Sequence, residues 1–354
     1  SVPLVTRLQK EMRGDVSVSS KDLVTYSRDT SIFTRTPEVV VFPKDKEDVA
    51  SLVRAVHTAK QEGMPVSISA RSAGTCMSGG SLTTSVVAVF TKYINKVIEV
   101  RNGYAVVEPG CYYRDFEKAT LADGNQILPS YPASREIAAL GGIVNNNSGG
   151  ERTLEYGKTS DYIEEVEAVL DDGSIVTFGP LTPVEVEEKK QLKTREGGIY
   201  RELTALLELH KDDIAAAKPK VSKNSAGYAL WDVMDPKTGG MNIAKLICGA
   251  QGTLALTTKF KLRLVRQQEH RAMLVIFLTD LRSLPEIVRT VLPFNPESFE
   301  SYDDHTFSLA VRFLPQMLSQ MGLLPAIRLA IVFATKPDTL SIFFFYSLPI
   351  VAQL

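Results

Sequence analysis

The sequence predicts a mixed α/β (α+β) fold in two parts, on three observations. Short apolar runs alternate with amphipathic stretches from residue 36 onward, glycine-rich loops follow several of those runs, and the chain changes character near Gln268. Its 354 residues exceed one small module and suit roughly two domains of about 100–200 residues each. Hydrophobic residues make up 44% and charged residues 23%, an ordinary globular balance that excludes a disordered, collagen-like or disulfide-scaffold protein. With 40 basic and 41 acidic residues the net charge is −1, so no overall field draws the chain to nucleic acid or an anionic membrane.

The elements follow in order. Residues 1–35 read as a polar, amphipathic helical segment without the apolar centre of a secretory signal. PEVVVFP is a strand bounded by prolines, and the next stretch carries Val49, Leu52, Val53 and Val56 at helical spacing before stopping at Gly63. MPVSISA, VVAVF, KVIEV and YAVVEPG are further strands, and a helix is expected from Tyr112 to Ala122. The segment IEEVEAVLDDGSIVTFG is a hairpin turning at Asp172-Gly173. A helix follows from Ile199 to Ala217, and GTLALTTKFKLRLV is strand. From residue 270 the apolar run MLVIFLT, a helix over Ser283–Leu292, the stretch ESFESYD, a helix from His305 to Met321 and the run AIRLAIVFAT make a β-α-β-α series. That series predicts a partial ferredoxin-like second domain over 270–354, which stops before its pattern is complete. The final apolar run, SIFFFYSLPIVAQL, is shorter than the ~20 residues of a membrane-spanning helix and reads as buried strand or helix.

The loop Arg71–Ser81 is the most informative segment. Gly74, Gly79 and Gly80 stand among Ser72, Ala73, Thr75, Met77 and Ser78, directly after a strand. Small residues let backbone approach a ligand, and glycine permits the positive φ that turns successive N–H groups into one concavity. Such a concavity suits a pyrophosphate, although a plain tight connection would use the same residues. The spacing is neither GxGxxG opening a helix nor GxxxxGK[ST]. Two more small-residue loops, GGIVNNNSGG and Cys248–Leu256, follow apolar stretches, which points to one extended ligand held by backbone from several places.

The order and content of these loops resemble the FAD-binding (PCMH-type) domain of the vanillyl-alcohol-oxidase flavoprotein superfamily. The nearest branch contains glycolate oxidase subunits, D-lactate dehydrogenases and D-2-hydroxyglutarate dehydrogenases. The resemblance rests on Arg71-Ser72-Ala73-Gly74-Thr75-Cys76-Met77-Ser78-Gly79-Gly80, with Cys76 in place of a glycine. It continues through Pro129, Pro132, Ser134, Gly141-Gly142 and Asn147-Ser148-Gly149-Gly150, then Tyr156-Gly157-Lys158-Thr159, Lys223-Asn224 with Gly227-Tyr228, and Gly252-Thr253-Leu254. It implies a two-subdomain FAD-binding domain over 36–265 followed by part of a substrate or cap domain. It also implies that Arg71 and the amides of Ser72–Thr75, with the Met77–Gly80 turn, bind the pyrophosphate. Pro129, Ser134, Gly141, Gly142, Asn147, Ser148 and Gly149 would line the flavin and its ribityl chain. Gly252 would lie near the adenosine half, and Lys223, Asn224 and Tyr228 would stand on the substrate side. Thr75 stands where covalent members carry a histidine, so FAD is expected to be non-covalently bound, with a cysteinyl bond through Cys76 as the alternative. Ala250-Gln251 replace the branch's usual Ser-Glu.

The resemblance implies oxidation of a D-2-hydroxy acid of the lactate, glycolate or 2-hydroxyglutarate kind, with hydride passing to flavin N5. A non-catalytic FAD-carrying electron-transfer subunit and a nucleotide-sugar reductase of the same fold are the alternatives. A histidine is the natural base for such a reaction. Of the four histidines, His57 and His210 sit on amphipathic helices and read as surface or structural. His270 lies in a charged linker, and His305 follows Asp303 and Asp304, whose acids read as a helix cap. The family's late, histidine-containing glycine-rich segment is absent, so no catalytic residue and no metal site is assigned, and the chain reads as part of a longer protein. Cys76, Cys111 and Cys248 form no CxxC pair and read as reduced thiols. The expected setting is cytoplasmic, with peripheral membrane association open. The expected partners are a small-molecule substrate and an unnamed electron acceptor, not nucleic acid, and the chain is either a homodimer or a complex subunit.

Overall fold

The run Val39–Phe42 is apolar at every position, the pattern of a strand covered on both faces, and it lies inside a sheet buried on both sides. The computed structural model describes residues 2–221, 224–270, 272–276, 278 and 280–321. The chain forms two compact units, Ser1–Ser298 and Phe299–Leu354.

In the first unit, Asp15–Ser17 (β1), Val39–Phe42 (β2), Ile68–Arg71 (β3) and Val86–Val89 (β4) form a sheet of order β1-β2-β4-β3. β2 and β3 both pair with β4 in parallel, and β1 is antiparallel at the edge. Val2–Glu11 (α1) and Ser20–Thr25 (α2) precede β2. The crossover from β2 to β3 is Lys46–Gln61 (α3), capped by Asp45, whose carboxylate accepts the Asp48 amide at 3.0 Å. α3 buries Val49, Leu52, Val53 and Val56 as its spacing predicts, and ends before Gly63 at φ +87°. Residues 1–35 are therefore not a separate segment. Leu4 and Leu8 of α1 are buried in the same cluster as α3, and β1 extends the sheet.

The second sheet is antiparallel. Val97–Arg101 (β5) and Tyr104–Val107 (β6) form a hairpin, followed by Tyr113–Ala122 (α4), Gln126–Ile127 (β7) and Leu140–Asn145 (α5). Ile163–Val169 (β8) and Ile175–Phe178 (β9) are the hairpin predicted around Asp172-Gly173, with Gly173 at φ +80°. Pro180–Leu181 (β10) pairs with Met241–Asn242 (β11), and Leu256–Arg263 (β12) lies between β6 and β8. Val265–Arg266 (β13) returns to β7. The sheet order is β5-β6-β12-β8-β9, and its inner face builds a core around Phe260, Val166, Phe178, Tyr113 and Tyr200. The helix expected from Ile199 to Ala217 is two helices, Arg195–Leu209 and Lys211–Ala217, broken at His210.

The β-α-β-α series expected after residue 270 differs. No strand is found among the described residues of 272–278, where Met273 and Leu274 are exposed. The helix Leu284–Val291 is present and belongs to the first unit. In the second unit the helix Asp304–Met321 is described, with the Asp303 carboxylate accepting the Thr306 amide at 2.7 Å, so that acid is a cap. The expected strand over 326–335 and the final apolar run lie outside the described residues. Among the described residues no helix is long and apolar enough to cross a membrane.

Phe260 is fully buried in β12, between both hairpins. Phe260→Ala should lower stability by about 3–5 kcal/mol, measured as a fall in the urea midpoint at unchanged slope. On the outer face of the neighbouring strand β8, Glu167 is buried beneath Lys259 and Lys46. Burial pushes its carboxyl up, and the hydrogen bonds from Lys259 and Lys46 overcome that and hold it below the ordinary glutamate range. Such a group contributes stability above its unfolded-state value, about 4.3, and loses it as pH falls through the lower folded value. Glu167→Gln should therefore flatten the acid limb of the stability curve, read as urea midpoints followed downward from pH 5.

Candidate functional site

Parallel neighbours need a crossover, normally a helix, and β3 reaches β4 without one. Residues 72–85 make the return with small residues. Gly74 and Gly79 take φ of +71° and +78°, a region cheap only for glycine. Close packing adds a second reason at Gly74, where a Cβ would lie 2.4 Å from Arg71 Nη2.

Two other loops close on this one. The Pro109 carbonyl accepts both Ser72 Oγ at 3.0 Å and the Gly141 amide at 2.7 Å, which locks the first turn of α5 against the start of the loop. A Cβ on Gly141 would lie 2.4 Å from Ser72 Oγ and 2.8 Å from the Pro109 carbonyl oxygen. Gly142, one residue on, is exposed and a Cβ there would meet nothing within 4 Å. Residues 248–255 are stitched to α5 by the Gly249 amide on the Val144 carbonyl (3.1 Å) and the Gln251 amide on the Asn145 carbonyl (2.8 Å). Gln251 Oε1 lies 3.0 Å from the Cβ position of Gly80, and Gly252, at φ +74°, backs onto Ala70. The three loops are thus contiguous.

The remaining predicted residues divide by what they touch. Pro129 is buried, and the Ser134 carbonyl accepts the amides of Ile137 and Ala138, both at 2.9 Å. Asn147 is buried at φ +46°, with its Oδ1 accepting the Ser160 amide (2.9 Å) and its carbonyl accepting Ser225 Oγ (3.1 Å). The Ser148 carbonyl accepts Thr159 Oγ1 at 2.8 Å, and Gly149 packs against Thr153. The side chain of Asn147 and the carbonyl of Ser148 therefore hold the loop to the Thr159–Ser160 turn. Tyr228 Oη pairs with Thr253 Oγ1 at 2.8 Å, and the Asn224 carbonyl accepts Lys158 Nζ at 2.6 Å, which brings the segment 224–228 to the second and third loops. Lys223 lies outside the described residues. Met77 and Ser78 are exposed, while Ala73 and Thr75 are half-buried.

The electrostatics favour an anion. Arg71 is buried behind the loop, its guanidinium 5.3 Å over the Tyr26 ring and its Nη1 on the Tyr26 carbonyl at a long 3.5 Å. Burial pushes its pKa down, with Asp29 opposing, and no carboxylate comes within ion-pair distance among the described residues. Among the described residues no acceptor is found for the amides of Ala73 through Met77. A buried cation behind unpaired amides fits a pyrophosphate, and the bare surface at Gly142 leaves room for a ring system to lie against backbone. Asn145 Oδ1 is a further unpaired buried acceptor where the loops join. Cys76 alters the far end of the loop. Burial pushes its thiol up, but the Ser78 hydroxyl and the amides of Ser78 and Gly80 win and leave it below the ordinary value. The Gly80 amide is thereby engaged by sulfur. Cys111 and Cys248 are buried, and burial pushes the Cys111 thiol up to about 12.

Residues 37–179 match the FAD binding domain family. Over that stretch the chain is similar to FAD binding domains. The chain is 29% identical over 309 residues to D-2-hydroxyglutarate dehydrogenase of Escherichia coli (strain K12), covering 85% of this chain and 30% of that protein. It is 25% identical to glycolate oxidase subunit GlcD of Bacillus subtilis (strain 168), covering 81% of this chain and 50% of the relative. A solved alkyldihydroxyacetonephosphate synthase superposes with a TM-score of 0.52 at 18% identity, covering 76% of this chain and 42% of that one, and shows the fold alone. The chain thus spans no more than half the length of either named relative. The matched stretch holds loops one and two, whereas loop three and segment 224–228 come from beyond it. The arm before residue 37, which touches loop one, also lies outside it and escaped sequence reasoning, because Thr30 and Gly74 are joined only in space. Three of the histidines contact Gln61, Asp213 and Asp304, so no base is assigned.

Paired substitutions separate packing from contact with the cofactor. Gly141→Ala should cost about 1–3 kcal/mol of stability, because the Pro109 carbonyl cannot move aside. Gly142→Ala should leave the thermal midpoint unchanged or slightly raised and weaken FAD binding by about tenfold or more, followed by flavin fluorescence titration.

Proposed function

We propose that the chain is the FAD-holding part of an oxidoreductase that oxidises a D-2-hydroxy acid, with FAD bound non-covalently. The convergence of three glycine-bearing loops on one cradle carries this reading, together with the names of the D-2-hydroxyglutarate dehydrogenase and glycolate oxidase relatives. The amides of Ala73–Met77, backed by Arg71, would hold the pyrophosphate, and Gly142 would lie against the flavin. Segment 224–228, with Asn224 and Tyr228, would face the substrate. FAD, when bound, supplies the acceptor for the hydride leaving C2 of the hydroxy acid. The chain's part is to bind and orient. The absence of a histidine in the loop supports non-covalent attachment.

The relative named as an oxidase subunit supports a second reading, in which this chain carries FAD within a complex and passes electrons to a partner. An anaerobic screen of D- and L-2-hydroxy acids tests both. Bleaching of the bound flavin's visible absorption by a D-2-hydroxy acid alone is the expected result. Bleaching only after a partner protein is added would favour the subunit reading, and bleaching by NADPH alone would sink both. Acid precipitation should release all the flavin into the supernatant.

A further inference from the structure

The arm from Ser27 to Arg35 folds as a small hairpin, with an antiparallel bridge between Arg28 and Thr34 and the Arg35 amide on the Ser27 carbonyl at 2.9 Å. Its tip lies on the glycine loop. The Thr30 amide donates to the Gly74 carbonyl at 3.2 Å, and Thr30 Oγ1 donates to the Cys76 carbonyl at 3.0 Å. Asp29 anchors both sides, since its Oδ1 accepts the Ser31 amide (2.9 Å) and its Oδ2 accepts Ser81 Oγ at the loop's far end (3.2 Å). Phe33 and Ser31 flank Gly79.

Peptide planarity turns these contacts into a statement about direction. In a trans peptide the C=O of one residue and the N–H of the next point opposite ways. Holding the Gly74 and Cys76 carbonyls toward Thr30 therefore aims the Thr75 and Met77 amides away from the arm, into the cradle. These amides belong to the set that lacks an acceptor among the described residues. Without the arm, a glycine-rich loop has many alternative peptide orientations, and the amides would converge only part of the time.

We propose that the hairpin 27–35 is an integral part of the dinucleotide site, with Thr30 as a positioning residue that presets the Thr75 and Met77 amides for the pyrophosphate. Thr30 itself touches no cofactor. The inference rests on the FAD reading and adds to it an element outside the matched family domain, which begins at residue 37.

The test is calorimetric titration of the whole chain with FAD, and with ADP as a pyrophosphate probe without the flavin, for wild type, Thr30→Val and Thr30→Ser. Thr30→Val keeps size and branching and loses the hydroxyl donor. It should bind FAD and ADP about three- to tenfold more weakly, the worth of one hydrogen bond. Thr30→Ser should bind both as wild type does, and all three should melt within about 2 °C of one another. Equal FAD and ADP affinity in Thr30→Val and wild type would overturn the proposal while leaving the FAD reading intact. So would a Thr30→Ser as weak as Thr30→Val, since the hydroxyl would then not be the agent. Should Thr30→Val fail to fold, Ser81→Ala, which removes the Asp29 anchor, decides: weaker FAD binding supports the brace and wild-type binding refutes it. A wild-type chain that takes up neither FAD nor ADP would defeat both readings together.

Discussion

One constraint organises the site: two parallel neighbouring strands are joined without a helix. The chain leaving Arg71 must travel back along the sheet to begin Val86–Val89, and residues 72–85 do this over the end of the sheet. A helix would have satisfied its own amides. The glycine loop does not, so its carbonyls and amides must find partners elsewhere. The carbonyls of Gly74 and Cys76 find the N-terminal arm, the hydroxyl of Ser72 finds the Pro109 carbonyl, and the central amides are left facing outward. An anion-binding surface is the direct consequence.

Everything around the loop then acts as its frame. Arg71 supplies buried positive charge from behind, and Asp29 limits the cost of that burial without pairing directly. Gly141 has no side chain because Ser72 and Pro109 occupy the space, and Gln251 closes over Gly80 from the third loop. The second sheet sets the distance between these pieces. β12 leads out of the third loop and pairs with both hairpins, and Thr257 at its start accepts a hydrogen bond from Asn145 of α5 at 3.0 Å. Core packing under Phe260 and loop position are thereby coupled mechanically.

Much of this is legible in the sequence. Alternating and continuous apolar runs place β2, β4, β6, β8 and β9, the heptad-like spacing of Val49, Leu52, Val53 and Val56 places α3, and Asp172-Gly173 places its hairpin turn. These are local signals, carried by residues close in sequence. The loops were also legible as a set, since small residues in that order have few other uses. Less legible was the tail. The apolar run 273–276 has strand composition, yet its side chains are exposed and no strand forms among the described residues there. Residues 1–35 were polar enough to look peripheral, although Leu4 and Leu8 complete the first core.

By itself, then, the sequence determined most element types before residue 266, the small-residue loops whose glycines permit left-handed backbone, and the likeness to FAD-binding domains. Those follow from steric freedom and hydrophobic period, which each short stretch carries alone. Only the tertiary structure decided which way the peptide planes of the first loop face, because that depends on Thr30 and Asp29 reaching across from the arm. It also decided that Arg71 backs the loop rather than lying in front of it, and that Cys76 draws the Gly80 amide to itself. Orientation of a permissive loop is set by its neighbours in space, and no local pattern encodes them.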